Sequence, residues 1–211
     1  MSDQLATAMA DLEEATVLRL VKQRLDAGEN PMAILTSCRE GMTLVGKRFE
    51  TCEYFVSELV IAGEIFKQAN ALLSSRLKAD DIGIRGKVVI GTVKGDIHDI
   101  GKDIVVSLLK AANYDVRDLG VDVPPQKVVD AVKETGATVV GLSGLLTIAF
   151  DSMKETVSAL AAAGLHSKVR VMIGGGSVSE TVQHYTGADA WGTDAQAAVS
   201  LCNQWIKEVA K

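Results

Sequence analysis

Asp96 and His98 are the two residues of this sequence whose types and spacing most directly suggest chemistry. They lie two residues apart, between a buried apolar run and a helical segment. A carboxylate at that spacing can accept the proton of ring atom Nδ1, which fixes the tautomer and leaves Nε2 free to bind a metal. The pattern therefore predicts a metal-ligating histidine. The competing interpretation is a helix cap formed by an aspartate, Asp96 or Asp99, beside a solvated histidine.

Gly95 and Gly101 frame this loop, and their spacing excludes two nucleotide-binding patterns. A phosphate-binding loop needs four residues between its glycines and a hydroxyl directly after the lysine. Here five residues separate the two glycines, and Asp103 follows Lys102. The G-x-G-x-x-G pattern of dinucleotide-binding folds is also absent from the loop.

Two further loops carry small or hydroxyl-bearing residues at the ends of apolar runs. Ser143 is placed to hydrogen-bond Asp96, and Thr147 adds another donor, although capping of the next helix is the alternative for both. The hydrolase pattern G-x-S-x-G fails because Gly144 directly follows the serine. The run Gly174–Gly176 removes three side chains, so a flat or elongated ligand could approach the backbone there. A tight turn is the alternative, but it would need one glycine rather than three.

The elements that must position these loops alternate in type after residue 82. Predicted strands are 87–93, 114–119, 137–142, 169–173 and 188–191, and predicted helices are 99–112, 124–134, 151–163, 178–185 and 194–209. Five strands that alternate with five helices predict an α/β domain with a flavodoxin-like, doubly wound, five-stranded parallel sheet. Such sheets bind ligands at the carboxyl ends of their strands, which is where all three loops fall.

Residues 1–82 are predicted to form an N-terminal four-helix bundle. Apolar residues recur there at a helical period, and only four of the 19 glycines of the chain fall in this part. The predicted helices are 3–10, about 12–25, one from Pro31, and one from about Tyr54 to Leu77. Residues 80–86 are the predicted linker, which gives domains at 1–82 and 83–211.

Composition and charge exclude several other classes of protein. The net charge of −5 over 211 residues argues against a generic surface for nucleic acid or anionic membrane. No apolar run approaches the roughly 20 residues needed to span a bilayer. Four acidic residues among the first 20 do not fit a secretory signal. The three cysteines are odd in number and widely spaced, so a disulfide framework or zinc ribbon is not indicated, and a reducing cytoplasm is expected.

Taken in order, the three loops resemble the motif of the cobalamin-binding domain family. The pattern is Asp96-x-His98-x-x-Gly101, then Ser143-x-Leu145 with Thr147, then Gly174-Gly175, within a match over about residues 87–205. Residues 1–82 are similar to the cap bundle that precedes this domain in methionine synthase. The whole chain resembles the stand-alone corrinoid proteins of methanol, methylamine and methoxyarene methyltransferase systems.

The resemblance implies roles for individual residues. His98 would be the lower axial ligand of cobalt, and Asp96 and Ser143 would relay the proton that accompanies its binding and release. The implied cofactor-binding residues are Gly95, Asp96, His98, Gly101, Ser143, Leu145, Thr147, Gly174, Gly175, Gly176 and, in the last helix, Ala195. Phe55 and Leu59, one predicted helical turn apart, are candidates for covering the upper face of the corrinoid; plain bundle core is the alternative for both.

The resemblance also implies a methyl carrier that is not catalytic on its own. Cobalt would cycle between Co(I) and methyl-Co(III) in an anaerobic one-carbon pathway, with cobalamin (methylcobalamin, Co(I) and Co(II) forms) as cofactor. The implied partners are a substrate:corrinoid methyltransferase, a corrinoid:acceptor methyltransferase acting on tetrahydrofolate or a thiol coenzyme, and a reductive activase, with no nucleic acid or membrane. The alternatives are a corrinoid-dependent sensor or regulator and a small subunit of an adenosylcobalamin mutase. An ordinary flavodoxin-like signalling domain would leave the coincidence of the three loops unexplained.

Overall fold

The computed structural model describes residues 3–74, 76, 84–192 and 194–209, and the chain forms two compact units. One unit holds the N-terminal helices, and the other holds the sheet and the helices that follow it. Residues 80–83 of the predicted linker, and the predicted end of the fourth helix at Leu77, lie outside the described residues.

The first unit is the predicted four-helix bundle. Its helices are α1 (Gln4–Ala10), α2 (Glu14–Asp26), α3 (Pro31–Glu50) and α4 (Val56–Ser74). Local sequence sets two of the helix starts: Asp3 caps α1, and Asn30 caps α3, whose first position is the proline. Among the side chains that fill the interior are Leu5, Met9, Val17, Val21, Ile34, Leu35, Ile65 and Leu73. The core is therefore almost entirely aliphatic.

The second unit is the predicted doubly wound parallel sheet. Its elements are β1 (Lys87–Thr92), α5 (Ile100–Ala111), β2 (Asp115–Asp118), α6 (Pro125–Thr135), β3 (Val139–Ser143), α7 (Ala149–Ala162), β4 (Arg170–Gly174), α8 (Glu180–Thr186), β5 (Ala190–Gly192) and α9 (Ala195–Val209). These bounds differ from the sequence-based ones by no more than two residues at either end of any element. No helix among the described residues has both the length and the apolar character required to cross a membrane.

The strand order places the reversal of the sheet at the chemistry-bearing loops. The order is β2-β1-β3-β4-β5, and every pair is parallel. The chain moves from β1 outward to β2 and then crosses to the other side of β1, so its direction reverses between β1 and β3. The crevice above the carboxyl ends at such a reversal is the usual ligand site of open α/β sheets. Buried side chains of α6, α7 and α8 pack on β1, β3 and β4 and hold those strand ends in place.

Candidate functional site

Small residues form one row across the carboxyl ends of four strands. The register pairs Thr92 with Ser143, Ser143 with Gly174, and Gly174 with Gly192. The loops after β1, β3 and β4 leave the sheet from this row. Residues that are distant in sequence are therefore brought together at the reversal point.

The carboxylate of Asp96 is the centre of the site. The residue is only 1% exposed, and it accepts hydrogen bonds at both oxygens. Oδ1 accepts from the amide of His98 at 2.9 Å and lies 2.7 Å from ring atom Nδ1 of the same residue. Oδ2 accepts from the amides of Leu145 at 2.7 Å and Leu146 at 3.0 Å. This one carboxylate therefore ties the loop after β1 to the loop after β3.

These contacts decide the ionisation of Asp96 and the tautomer of His98. Burial alone would raise the pKa of Asp96, but the hydrogen bonds from the amides of His98, Leu146 and Leu145 and from the His98 ring outweigh it and hold the pKa well below its ordinary value. The ionised carboxylate can only accept, so Nδ1 of the ring must carry the hydrogen. In the neutral imidazole, Nε2 then carries the free electron pair, as it does in a metal-ligating histidine.

His98 is held at its backbone as well as at its ring. Thr92 is fully buried, and its hydroxyl donates to the carbonyl of His98 at 3.0 Å. The side chain of His98 is nevertheless 49% exposed. A ring that is fixed on one edge and open to solvent on the other is ready to bind a ligand without rearrangement.

The expected hydrogen bond from Ser143 to Asp96 is not formed. Within the described part of the chain, the hydroxyl of Ser143 makes no hydrogen bond, and the donors to Oδ2 of Asp96 are the amides of Leu145 and Leu146. The proton-relay role of Ser143 stays a prediction, without that direct contact. Thr147 is exposed and does not cap α7, whose start at Ala149 has no side-chain cap.

Exposed aliphatic side chains form a rim on the two loops that meet at Asp96. Ile97 and Ile100 belong to the segment around His98, and Leu145, Leu146 and Ile148 belong to the loop after β3. Clustered exposed apolar side chains mark a binding surface rather than ordinary solvent-facing protein. A ligand that suits this rim must be broad and largely apolar, and it must offer a site for Nε2 of the histidine.

The three consecutive glycines serve two different purposes. Only Gly175 has a positive φ (+141°), and a Cβ there would fall 1.9 Å from the carbonyl oxygen of Gly144. Gly175 is therefore required by backbone packing between the loops after β3 and β4. Among the described atoms, a Cβ on Gly174 would meet only the oxygen of Gly192, at 3.7 Å, and one on Gly176 would meet a methyl of Leu145 at 3.2 Å. Packing against the described residues does not explain why position 174 is a glycine.

Gly95 and Gly101 also border open space. A Cβ built on either residue would meet no described atom within 4 Å. Gly95 has a φ of +83°, which accounts for it as a turn residue, but Gly101 is the second residue of α5 and has no such requirement. The absence of a side chain at Gly101 is consistent with close approach of a ligand to the start of this helix.

The remaining predicted residues lie in different environments. Ala195 is the first residue of α9 and is half-buried. Helix α4 begins at Val56, one residue after Phe55, whose amide donates to Oε2 of Glu58 at 2.8 Å. Phe55 is 68% exposed, whereas Leu59 is 2% exposed and belongs to the bundle core, as its alternative interpretation expects. The two side chains therefore do not share an exposed helical turn.

Three kinds of contribution to the site were not predicted from the sequence: a buried hydroxyl, an apolar rim beside His98, and two backbone amides. Thr92 is the last residue of a buried strand, and a hydroxyl at that position could have been noticed. Ile97 and Ile100 flank His98 in an otherwise polar and glycine-rich segment, which is the one clear signal of an apolar rim. The roles of the Leu145 and Leu146 amides left no such signal, because every residue except proline has an N–H group.

The site combines a histidine that is oriented by a buried carboxylate with a border of aliphatic side chains and open glycines. It lies at the reversal point of a doubly wound sheet. This combination is typical of a domain that binds a large metal-containing ring. A family model described as B12 binding domain matches residues 86–200, and a second with the same description matches residues 1–74. The chain belongs to this B12-binding family, and its cofactor is a corrinoid. The residues present fit such a group: Nε2 is available as a ligand, and the rim and glycines suit a broad ring.

Similar proteins extend over nearly the whole chain. It is 33% identical over 204 residues to the dimethylamine corrinoid protein of Methanosarcina barkeri, with 96% of each sequence covered. A cobalamin-binding protein of known structure from Desulfitobacterium hafniense DCB-2 is 42% identical to this chain, with a TM-score of 0.79. The match covers 95% of this chain and 96% of that one. The methanol:cobalamin methyltransferase complex of Methanosarcina barkeri contains a chain that is 26% identical, with 96% of this chain and 78% of that chain covered and a TM-score of 0.85.

Proposed function

We propose that this protein carries a methyl group on a bound corrinoid from one methyltransferase to another. The observation that carries the proposal is the His98–Asp96 pair, fixed at the reversal point of the sheet with Nε2 free and an apolar rim around it. When bound, the corrinoid supplies a cobalt that accepts and gives up a methyl group as it alternates between Co(I) and Co(III). The names of the similar proteins, a dimethylamine corrinoid protein and a methanol:cobalamin methyltransferase complex, support methylated amines or methanol as the source.

The residues of the chain have separate tasks in this function. His98 would offer Nε2 as a ligand to the cobalt. Asp96 keeps the hydrogen on Nδ1 and the ring in orientation, which also raises the basicity of Nε2. The exposed aliphatic side chains of the rim would contact the apolar face of the ring beside His98. Phe55, exposed on the helical unit, is our candidate for covering the upper face.

The proposed partners are three proteins. One methyltransferase would load the carrier from a methylated substrate, a second would unload it to tetrahydrofolate or a thiol coenzyme, and a reductive activase would restore the reduced cofactor after oxidation. Ser143, half-buried in the strand-end row beside Thr92, is our candidate for exchanging a proton with solvent near the His98–Asp96 pair.

A methyl-transfer assay with separate components tests this function. The full chain, loaded with hydroxocobalamin and chemically reduced, should not turn over dimethylamine or methanol alone. It should become methylated, about one methyl per bound cobalamin, when a cognate substrate methyltransferase is added. Sustained turnover without a second protein would contradict the carrier role. In a parallel sample loaded with adenosylcobalamin, retention of the adenosyl group with radical rearrangement of a substrate would instead support a mutase subunit.

Gly101→Ala separates cofactor binding from folding. Because the added methyl meets no atom of the described residues within 4 Å and Gly101 lies within a helix, the free energy of unfolding of the apoprotein should stay the same or rise by about 0.5 kcal/mol. The same methyl occupies space we assign to the corrinoid, so the affinity for hydroxocobalamin should fall about tenfold or more. Urea unfolding of the apoprotein and a spectrophotometric cobalamin titration measure the two effects.

Lys110→Ala, in the last turn of the same helix, is the matched control for Gly101→Ala, since its exposed side chain lies outside the site. It should leave cobalamin affinity unchanged. Wild-type affinity in Gly101→Ala would show that the open space at the start of α5 is not used by the cofactor.

A further inference from the structure

Asp122 has a left-handed backbone conformation that no helix end accounts for. Among the described residues, four other than glycine have positive φ: Leu12, Cys52, Asn113 and Asp122. The first three each lie within two residues after the end of a helix, where such a conformation is common. Asp122, with a φ of +50°, lies instead in the loop between β2 and α6. Outliers of this kind concentrate at functional sites, where surrounding contacts maintain them.

The contacts of Asp122 are all directed at the segment that leads to His98. Its carboxylate oxygen Oδ1 accepts from the amide of Gly95 at 2.8 Å. Its own amide donates to the carbonyl of Asp96 at 3.0 Å. The next residue, Val123, donates its amide to the carbonyl of Thr92 at 2.9 Å and forms an isolated parallel bridge with Val93. The loop after β2 thus contacts the segment 92–96 through three hydrogen bonds, at Thr92, Gly95 and Asp96.

We infer that Asp122 is a positioning residue for the histidine ligand, an inference that rests on the proposed function. The carboxylate of Asp96 fixes the His98 ring, but that contact is only as accurate as the backbone position of Asp96. Asp122 fixes this backbone from both sides, at the Gly95 amide and at the Asp96 carbonyl. In its left-handed conformation, Asp122 bonds two neighbouring peptide groups at once, through its amide to the Asp96 carbonyl and through its carboxylate to the Gly95 amide. Aspartate tolerates that conformation better than most residues.

Three substitutions separate the acceptor from the backbone conformation. Asp122→Gly keeps access to positive φ and removes the acceptor. Asp122→Asn keeps both, because its amide oxygen can still accept from Gly95. Asp122→Ala loses both. Asp115→Ala is the matched control, since Asp115 is an exposed carboxylate on β2 whose side chain makes no hydrogen bond within the described residues.

Two readouts on the full-length protein test the inference. In the apoprotein, amide hydrogen exchange at Gly95 should quicken about tenfold or more in Asp122→Gly and Asp122→Ala, and should stay near wild type in Asp122→Asn and Asp115→Ala. In the protein loaded with cobalamin and reduced to Co(II), the fraction with histidine nitrogen coupling in the EPR spectrum should fall in Asp122→Gly and Asp122→Ala. It should be retained in Asp122→Asn.

The outcomes distinguish this inference from the proposed function. If wild-type protein itself lacks nitrogen coupling from histidine, the assignment of His98 as ligand fails. If wild type shows the coupling and Asp122→Gly shows the same coupled fraction, Asp122 is not a positioning residue, whatever happens to exchange at Gly95. Faster exchange together with loss of coupling, both restored in Asp122→Asn, is the result we expect.

Discussion

Asp96→Asn is expected to lower the free energy of unfolding by about 2–4 kcal/mol and to disable His98 as a ligand. The carboxylate accepts from the ring and from three backbone amides, and the residue is 1% exposed. Asparagine has one oxygen and one NH2 group in place of two oxygens. In either orientation its NH2 group, which is a donor, points at one or more backbone N–H groups, which are also donors. At least one of these three amides loses its partner in either orientation.

The substitution also acts on the tautomer of the histidine. If the asparagine oxygen faces Leu145 and Leu146, its NH2 group faces Nδ1 of His98 and favours the ring with the hydrogen on Nε2. That hydrogen occupies the electron pair needed for the metal. We therefore expect loss of nitrogen coupling in the Co(II) EPR spectrum together with the loss of stability. Asp99→Asn, on the exposed residue just before α5, is the control and should change neither quantity.

The stability difference between wild type and Asp96→Asn should depend on pH. The pKa of Asp96 is lowered on folding, so the ionised carboxylate contributes stability that is fully present above the unfolded pKa of about 4. That contribution is lost as the pH falls below this value toward the folded pKa. Urea unfolding should show a constant difference between pH 7 and 5 and a narrowing one toward pH 2. A difference that stays the same over the whole range would contradict the ionised, fully paired state of Asp96.

Gly175→Ala is expected to destabilise the protein by about 3 kcal/mol. Its Cβ would fall 1.9 Å from the carbonyl oxygen of Gly144, and its φ of +141° is strained for any residue with a side chain. The obstructing atom is backbone, so no side-chain rotation can relieve the clash. Relief must move the loop that begins at Gly144, whose next two amides bind Asp96. Cobalamin affinity should therefore fall with stability.

Gly174→Ala provides the control from the same run of glycines. It has no positive φ, and its Cβ would make only an ordinary contact at 3.7 Å with Gly192. Its free energy of unfolding should lie within about 0.5 kcal/mol of wild type. Chemical unfolding of the two apoproteins measures the contrast, and equal stability of both variants would show that the backbone contact between Gly144 and Gly175 is not maintained in solution.

The architecture could be predicted from the sequence because its signals are local. Apolar runs of strand length alternate with amphipathic stretches after residue 82. Each helix and strand of the sheet unit begins and ends within two residues of the predicted position. The His98–Asp96 contact was predictable for the same reason: two residues at that spacing on one loop are close whatever the rest of the chain does.

Other parts of the site depend on backbone geometry that residue types do not encode. A side-chain donor, Ser143, was expected at Asp96, but two backbone amides occupy the position instead. The three glycines have different purposes because, of the three, only Gly175 lies so close to another backbone that a Cβ would clash with it. Phe55 and Leu59 differ in exposure because Phe55 precedes helix α4, whereas Leu59 lies within it. The helix starts after Phe55, whose amide donates to the carboxylate of Glu58.

Isotope labelling identifies the source of the nitrogen that binds cobalt in the cobalamin-loaded protein. The full chain should be prepared with 15N-labelled histidine, loaded with unlabelled cobalamin and reduced to Co(II), so that protein nitrogen is distinguished from nitrogen of the cofactor's own base. We expect the hyperfine pattern to change on labelling, to be lost in His98→Ala, and to be unchanged in His166→Ala, an exposed histidine outside the site. A pattern that ignores the label, or that survives in His98→Ala, would contradict the assignment of His98 as the ligand.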